Sequence, residues 1–359
     1  MRPNARLVSL LLTALAGLIC AGPAAAQDPA SGATGSTGLT STGTTTPSGV
    51  LSPITIHYRL ENKARVPVGA VITGGQLRVV GTVTPFVGGQ TVFVRTYRGD
   101  LKLATRNLPV TSAGNGIGHF VGLIGVGGRR ASVTVHVSHP ATGLQAGEDA
   151  TPRSLPVVAA SLVPGQRGAA VQLLQEELAG LHYAVPSSRV FDDATQRAVV
   201  AFRKMTDQVR SAEANRKVFE LLATGAGTFK VRFPGQGTHF EGDLTHQVLA
   251  EVLADGKVRR LYEMSSGKPS TPTVIGTFHV YLKTPGINEK GMVDANYFIR
   301  GYAIHGYAEV PTYAASHGCL RIPVPDAAAV FAWAQYGYAV DVYYRDGGGS
   351  HKVSNDAGP

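Results

Sequence analysis

Between residues 51 and 150 apolar and polar side chains alternate in short runs broken by Gly, Pro and Asn. Examples are Ile54-Thr55-Ile56-His57-Tyr58, Leu77-Arg78-Val79-Val80-Gly81-Thr82-Val83, Thr91-Val92-Phe93-Val94-Arg95 and Ser132-Val133-Thr134-Val135-His136-Val137. A period of two sends successive side chains to opposite faces of a strand. Several such runs at close spacing predict an all-β, sandwich-like domain of half-buried antiparallel strands over 51–150. From residue 163 the period changes. Val171, Leu174, Leu178 and Leu181 recur at helical spacing, and Phe191-Asp192-Asp193-Ala194-Thr195 offers an N-cap ahead of Ala198, Val199 and Phe202. With a third helix over 213–222, this predicts a small three-helix domain spanning 160–226. Strands return over 228–345: a hairpin at 248–262 turning on Ala254-Asp255-Gly256-Lys257, then 276–281, 302–305 and a closing strand at 339–343. One helix is expected at 325–336, started by Pro325 and Asp326 and stopped by Gly337. The fold class is therefore multidomain: a sandwich-like β domain, a three-helix domain, and a C-terminal mainly-β domain with one helix.

The two ends read differently. Arg2 and Arg6, an apolar run from Leu7 to Ile19 and Ala24-Ala25-Ala26 predict a signal peptide over 1–26. The run is shorter than the roughly 20 residues that cross a bilayer. Residues 27–50, almost all Ser, Thr, Gly, Pro and Ala, read as a flexible linker, and 346–359 as a disordered tail. The expected location is outside the membrane, in the cell wall or the space beside it, with tethering if the leader is retained. Cleavage after Ala26 removes Cys20 and leaves Cys319 as the only cysteine. A lone thiol in an exported chain is reactive, intermolecularly bonded, or buried and inert. Loss of Arg2 and Arg6 would take the formal charge from +9 to +7. That excess suits an anionic setting such as a wall. No basic helix, aromatic–basic platform or zinc-finger spacing points to nucleic acid. His57, His119, His136 and His139 are scattered, and the last two would face opposite sides of a strand.

Ser316-His317-Gly318-Cys319-Leu320-Arg321 gives the lone thiol its context. His305, followed by Gly306, stands twelve residues before His317, at the end of a predicted strand. A thiol attacks as thiolate, and an imidazole or a helix N-terminus lowers its pKa. Acyl chemistry also needs N–H donors where charge develops, and Gly318 permits a close backbone approach or φ > 0. The helix expected after Cys319 would help.

These residues strongly resemble the L,D-transpeptidase catalytic domain. The resemblance rests on His305-Gly306 and Ser316-His317-Gly318-Cys319 with Arg321, supported by Ser266-Gly267-Lys268, Thr271-Pro272-Thr273 and Gly276-Thr277-Phe278. It implies a ping-pong acyl transfer without metal or organic cofactor. Cys319 would attack the carbonyl before the terminal D-alanine of a tetrapeptide stem. His305, oriented by the Gly306 carbonyl, would take the thiol proton to give an ion pair. Amides of His317, Gly318 and Cys319 would form the oxyanion hole, supported by Ser316 and Arg321. Ser266, Gly267, Lys268 and Tyr302 are candidate substrate contacts. The implied partners are peptidoglycan stem peptides, with a diaminopimelate-type amine as acceptor, and wall glycan. Acylation by carbapenems is implied too. The segment carrying Gly165-Gln166-Arg167-Gly168, Val171, Leu174-Gln175, Phe191, Thr195 and Phe202 resembles a peptidoglycan-binding three-helix domain, although Arg203-Lys204 stands where a glutamine is usual.

Imidazole and thiolate also bind zinc, but His305, His317 and Cys319 lack a fourth ligand and the usual spacing. A sortase places its histidine farther upstream, and papain-like peptidases reverse the Cys–His order. Transfer to water, as an L,D-carboxypeptidase, or to a wall-anchored protein remains open, as does a non-catalytic wall-binding protein.

Overall fold

Residues 51–345 are described in a computed structural model; the signal peptide, linker and tail expected at 1–26, 27–50 and 346–359 lie outside the described residues. The period-two runs become strands β1 (Thr55–Glu61), β2 (Val71–Ile72), β3 (Gln76–Thr84), β4 (Thr91–Arg98) and β5 (Leu101–Pro109). They continue as β6 (Thr111–Ser112), β7 (Gly118–Gly125), β8 (Ser132–His139), β9 (Glu148–Asp149) and β10 (Arg153–Val158). One sheet runs β1-β3-β7-β6; the other runs β2-β10-β8-β4-β5, with β9 added to β8. Their buried faces share one core that includes Ile56, Leu77, Val79, Val94, Val133 and Val135. Two departures from the sequence reading stand out. β10 lies beyond residue 150, and it pairs antiparallel with β8 but parallel with β2.

Three helices follow: α1 (Ala169–Gly180), α2 (Asp193–Met205) and α3 (Arg216–Thr224). Asp192 caps α2 by accepting the Thr195 amide at 2.8 Å. Asn215 caps α3, and Gly225, at φ 79°, ends it in the left-handed conformation. The third helix therefore starts three residues later than its periodicity suggests, because Asn215 fixes the first turn.

The C-terminal region holds two sheets. β11 (His239–Asp243), β12 (Val248–Val252), β13 (Val258–Glu263), β14 (Gly276–His279) and, at the end of the chain, β19 (Ala339–Tyr343) order as β13-β12-β11-β19-β14. β15 (Leu282–Ile287), β16 (Val293–Ile299), β17 (Tyr302–Tyr307) and β18 (Leu320–Pro323) form the second sheet in sequence order. Between β18 and β19 runs α4 (Val324–Trp333). It is shorter than the 325–336 expected. Ala334 is already extended, and Lys283 Nζ donates to the carbonyls of Phe331 and Ala334, so a lysine from β15 closes this helix and Gly337 does not.

The three regions are not separately packed, and the described residues fall within one compact unit. Val248, Ala250, Val252, Val258 and Leu261 of the C-terminal sheet belong to the same core as the helices and the sandwich. Burying each Val or Leu contributes roughly 1.5–3 kcal/mol, so this seam is a major source of cohesion. Backbone bonds from Leu261 N to His182 O and from Ala184 N to Leu261 O reinforce it. Polar side chains do the same: Arg197 of α2 grips Asp326 of α4 through both Nε and Nη2 at 3.0 and 3.3 Å. Lys204, only 1 % exposed, ends against Glu263 at 3.3 Å. The Arg203-Lys204 pair is thus used structurally, Arg203 bonding the carbonyls of Val209 and Glu213.

Candidate active site

β17 and β18 run parallel, with His305 beside Arg321 and Ile304 beside Leu320. The period of two then decides both faces. Ile304, Leu320 and Ile322 point into the core beneath α4. Ala303, His305, Tyr307, Cys319 and Arg321 occupy the opposite face. Cys319 there packs on a small apolar cluster of Met292, Ala295 and Ala303, with Tyr297 beside it. The ladder sets histidine and thiol on one face, two residues out of register.

The His305 ring is 2 % exposed, and its Nδ1 bonds the Gly306 carbonyl at 2.9 Å. That contact places the proton on Nδ1 and leaves Nε2 as an acceptor. Gly306 has a second role: a Cβ there would lie 2.6 Å from Ala327 Cβ, so α4 crosses too closely for any side chain. Burial pushes the imidazole pKa down to about 4, against the Gly306 bond and assisted by Arg321. Burial also pushes the Cys319 thiol up; the Ala303 amide, Arg321 and Lys290 pull the other way with smaller effect. The thiol donates weakly to the Gly301 carbonyl at 3.7 Å. Burial thus works against charge on both the thiol and the imidazole in the empty site.

The loop before Cys319 is held at several points. Ser316 Oγ donates to the Cys319 carbonyl at 2.6 Å and accepts the Gly318 amide at 3.0 Å. Gly318 sits at φ 119°, and a Cβ on it would meet the Tyr302 ring at 1.8 Å, so only glycine fits. Ser266 O accepts the amides of Ala315 and Ser316, while the Ser316 carbonyl accepts the Lys268 amide and the Thr271 hydroxyl. Thr273 Oγ1 accepts the Gly267 amide.

Three expectations change on this geometry. Ser266 and Gly267 are buried, with the Ser266 carbonyl on the loop, its amide and hydroxyl on Gln247 and the Gly267 amide on Thr273, so they support the site from behind. Tyr302 likewise walls Gly318. Strand β18 separates Cys319 from α4, so the N-terminus of that helix does not adjoin the thiol. Lys268 Nζ comes 3.4 Å from Nε2 of the exposed His317, at the mouth of the site. With Arg321 and Lys290 these groups make the surroundings basic. Among the described residues no three His, Cys, Asp or Glu side chains are placed to hold a metal ion.

Residues 237–342 match the family described as the YkuD L,D-transpeptidase catalytic domain. This span is a YkuD L,D-transpeptidase catalytic domain. Among solved structures, the chain is similar to an L,D-transpeptidase from Xylanimonas cellulosilytica, at 30% identity over 52% of this chain and 100% of that one, with a TM-score of 0.47. It is also similar to an L,D-transpeptidase from Stackebrandtia nassauensis, at 22% identity over 52% and 97%, TM-score 0.34. A third is an Enterococcus faecium L,D-transpeptidase, at 28% identity over 30% and 50%, TM-score 0.27. No curated protein matches the chain.

Within the transpeptidase domain, several site residues have no motif signal. Tyr307 stands edge-on to His305 with centroids 5.7 Å apart, and the Arg321 guanidinium lies 3.9 Å from its ring centre. Alternation along β17 could have placed Tyr307 there, since it is two residues from His305. Gln247, which clamps Ser266 through both arms of its amide, comes from a distant turn that no local pattern links to the site.

Proposed function

We propose that the chain is an exported L,D-transpeptidase that cross-links peptidoglycan through an acyl-enzyme on Cys319. The observation carrying this reading is the placement of His305 and Cys319 on one face of β17–β18, with Nδ1 of the histidine already committed to Gly306. His305 Nε2 accepts the thiol proton as sulfur attacks the stem-peptide carbonyl, so charge forms only in the transition state. The tetrahedral oxyanion faces the loop amides. Because the Gly318 amide is bonded to Ser316 Oγ, that work falls mainly to His317 and Cys319. His305 then returns the proton to the departing D-alanine amine, leaving a thioester. An acceptor amine attacks the thioester carbonyl, gives its proton to His305, and the thiol is restored. The basic rim of Lys268, Lys290 and Arg321 suits the carboxylates of stem peptides. No helix among the described residues is long and apolar enough to cross a membrane; export rests on the leader sequence, and wall binding by residues 160–226 on their resemblance.

The test is incubation with disaccharide tetrapeptide followed by mass spectrometry of protein and products. The expected result is a Cys319 acyl-enzyme and a cross-linked dimer, both lost in Cys319→Ala. Removing the base in His305→Ala should slow the reaction by about 10²–10⁴-fold. Free tripeptide alone would instead identify a carboxypeptidase. Cross-linking by Cys319→Ala would end the proposal.

A further inference from the structure

The end of α2 and the turn that follows it reach the nucleophile loop by two routes. Lys204 Nζ has three hydrogens and three acceptors, all in the C-terminal region: Met264 O at 2.9 Å, Gln247 O at 3.3 Å and Glu263 Oε1 at 3.3 Å. Gln247 is a non-glycine residue at φ 57°, a conformation that costs roughly 1–2 kcal/mol and needs support from its surroundings. Its side chain accepts the Ser266 amide at 2.8 Å and donates to Ser266 Oγ at 2.8 Å. Ser266 O holds the amides of Ala315 and Ser316, and Ser316 Oγ holds the Cys319 carbonyl. The second route is shorter: Arg210 Nη1 donates to the carbonyl of Thr312, in the loop between His305 and Cys319.

We infer that Lys204 and Arg210 are positioning residues for Cys319, so that the helical segment sets the reactivity of a thiol to which it contributes no atom. The inference deepens the proposed transpeptidase reading and rests on it for its link to catalysis. Lys204 fixes Gln247 and Met264 from below, while Arg210 fixes the loop from above. A buried lysine serves here better than an apolar side chain would, because it alone can hold two carbonyls and a carboxylate at once. Releasing either anchor lets the loop move away from the sheet. The thiol then loses part of its burial and its contact with Gly301, while the oxyanion amides lose their alignment.

The two effects have opposite signs, which makes the inference testable. In full-length Lys204→Met and Arg210→Ala proteins, alkylation of Cys319 by iodoacetamide should become faster, with its pH profile moved to lower pH. The kcat for acyl transfer should fall about tenfold or more, the scale of a misaligned catalytic group, with KM little changed. Unfolding midpoints measured in parallel, and Arg216→Ala as a control on α3, separate positioning from plain destabilisation. If Lys204→Met fails to fold because Glu263 is left unpaired, Lys204→Met/Glu263→Gln and Arg210→Ala carry the test. Alkylation rates and pH profiles equal to wild type in folded variants would overturn the inference. Altered alkylation in a protein whose wild type transfers no acyl group would instead overturn the transpeptidase reading and leave the anchoring role standing.

Discussion

Cys319 should behave as an ordinary protonated thiol until substrate arrives. The ordinary thiol value is 9.0, and burial raises it further here; the His305 imidazole is held down to about 4. Moving the proton from sulfur to nitrogen in the empty site is therefore opposed at both ends by burial. Direct ionisation then supplies the thiolate, a small fraction at pH 7 that grows tenfold with each pH unit. The assay is alkylation by iodoacetamide between pH 5 and 9, followed by intact-protein mass. The logarithm of the rate should rise with unit slope and show no plateau below pH 9. Acyl transfer should differ. His305 is unprotonated above about pH 5 and free to act as base, so activity should hold down to that point and fall with a midpoint at about 4. A flat alkylation rate between pH 5 and 7 would mark a preformed thiolate–imidazolium pair and refute the reasoning.

Gly318→Ala should cost about 100-fold in acyl transfer and roughly 1–3 kcal/mol in stability, since φ 119° and the Tyr302 ring both exclude a methyl group; activity and denaturant midpoints check it. Glu177 of α1 is buried beside Asn62, and burial raises its carboxyl to about 8. The folded protein therefore holds a proton that the unfolded chain releases above about 4.5, and stability falls as pH rises from there to about 8. Glu177→Gln should match wild type near pH 4 and exceed it by about 3 kcal/mol at pH 7, at 1.36 kcal/mol per pKa unit, whereas parallel denaturation curves would contradict the shift. Carbapenems should acylate Cys319 stoichiometrically, because a strained lactam carbonyl offers the same electrophile and its opened ring blocks the acceptor's approach. An adduct that persists in Cys319→Ala would disprove that assignment.

The site was legible in sequence where chemistry and local geometry coincide. His305, Gly306, Ser316, Gly318 and Cys319 sit within one short stretch, and each demands a residue type that packing alone rarely requires. Strands with strict alternation, such as β4 and β8, were equally readable. What stayed hidden depends on distant partners. Nothing near Gln247 marks it as a support for Ser266, and the C-terminal end of α4 is decided by Lys283, 48 positions before Phe331. The protonation of the site was also beyond the motif. The same His–Cys pair ionises or stays neutral according to burial, and burial is set by Met292, Ala295 and Tyr297 on a neighbouring strand and turn.

The seam between α1–α3 and the C-terminal sheet bears on how such a protein can change over generations. The segment matching the transpeptidase domain begins at residue 237, yet Val248, Ala250, Val252 and Leu261 inside it find their neighbours before that point. A gene fragment encoding only that segment, moved into a new host, would arrive with one face of its sheet bare. The recipient would have to supply an apolar cover of matching shape, a cation for Glu263 and a guanidinium for Asp326. What is inherited as one piece and what holds together as one piece are then different lengths of chain. Substitutions at Lys204 and Arg197 are constrained less by their own helix than by a sheet and a helix encoded 60 and 129 positions later.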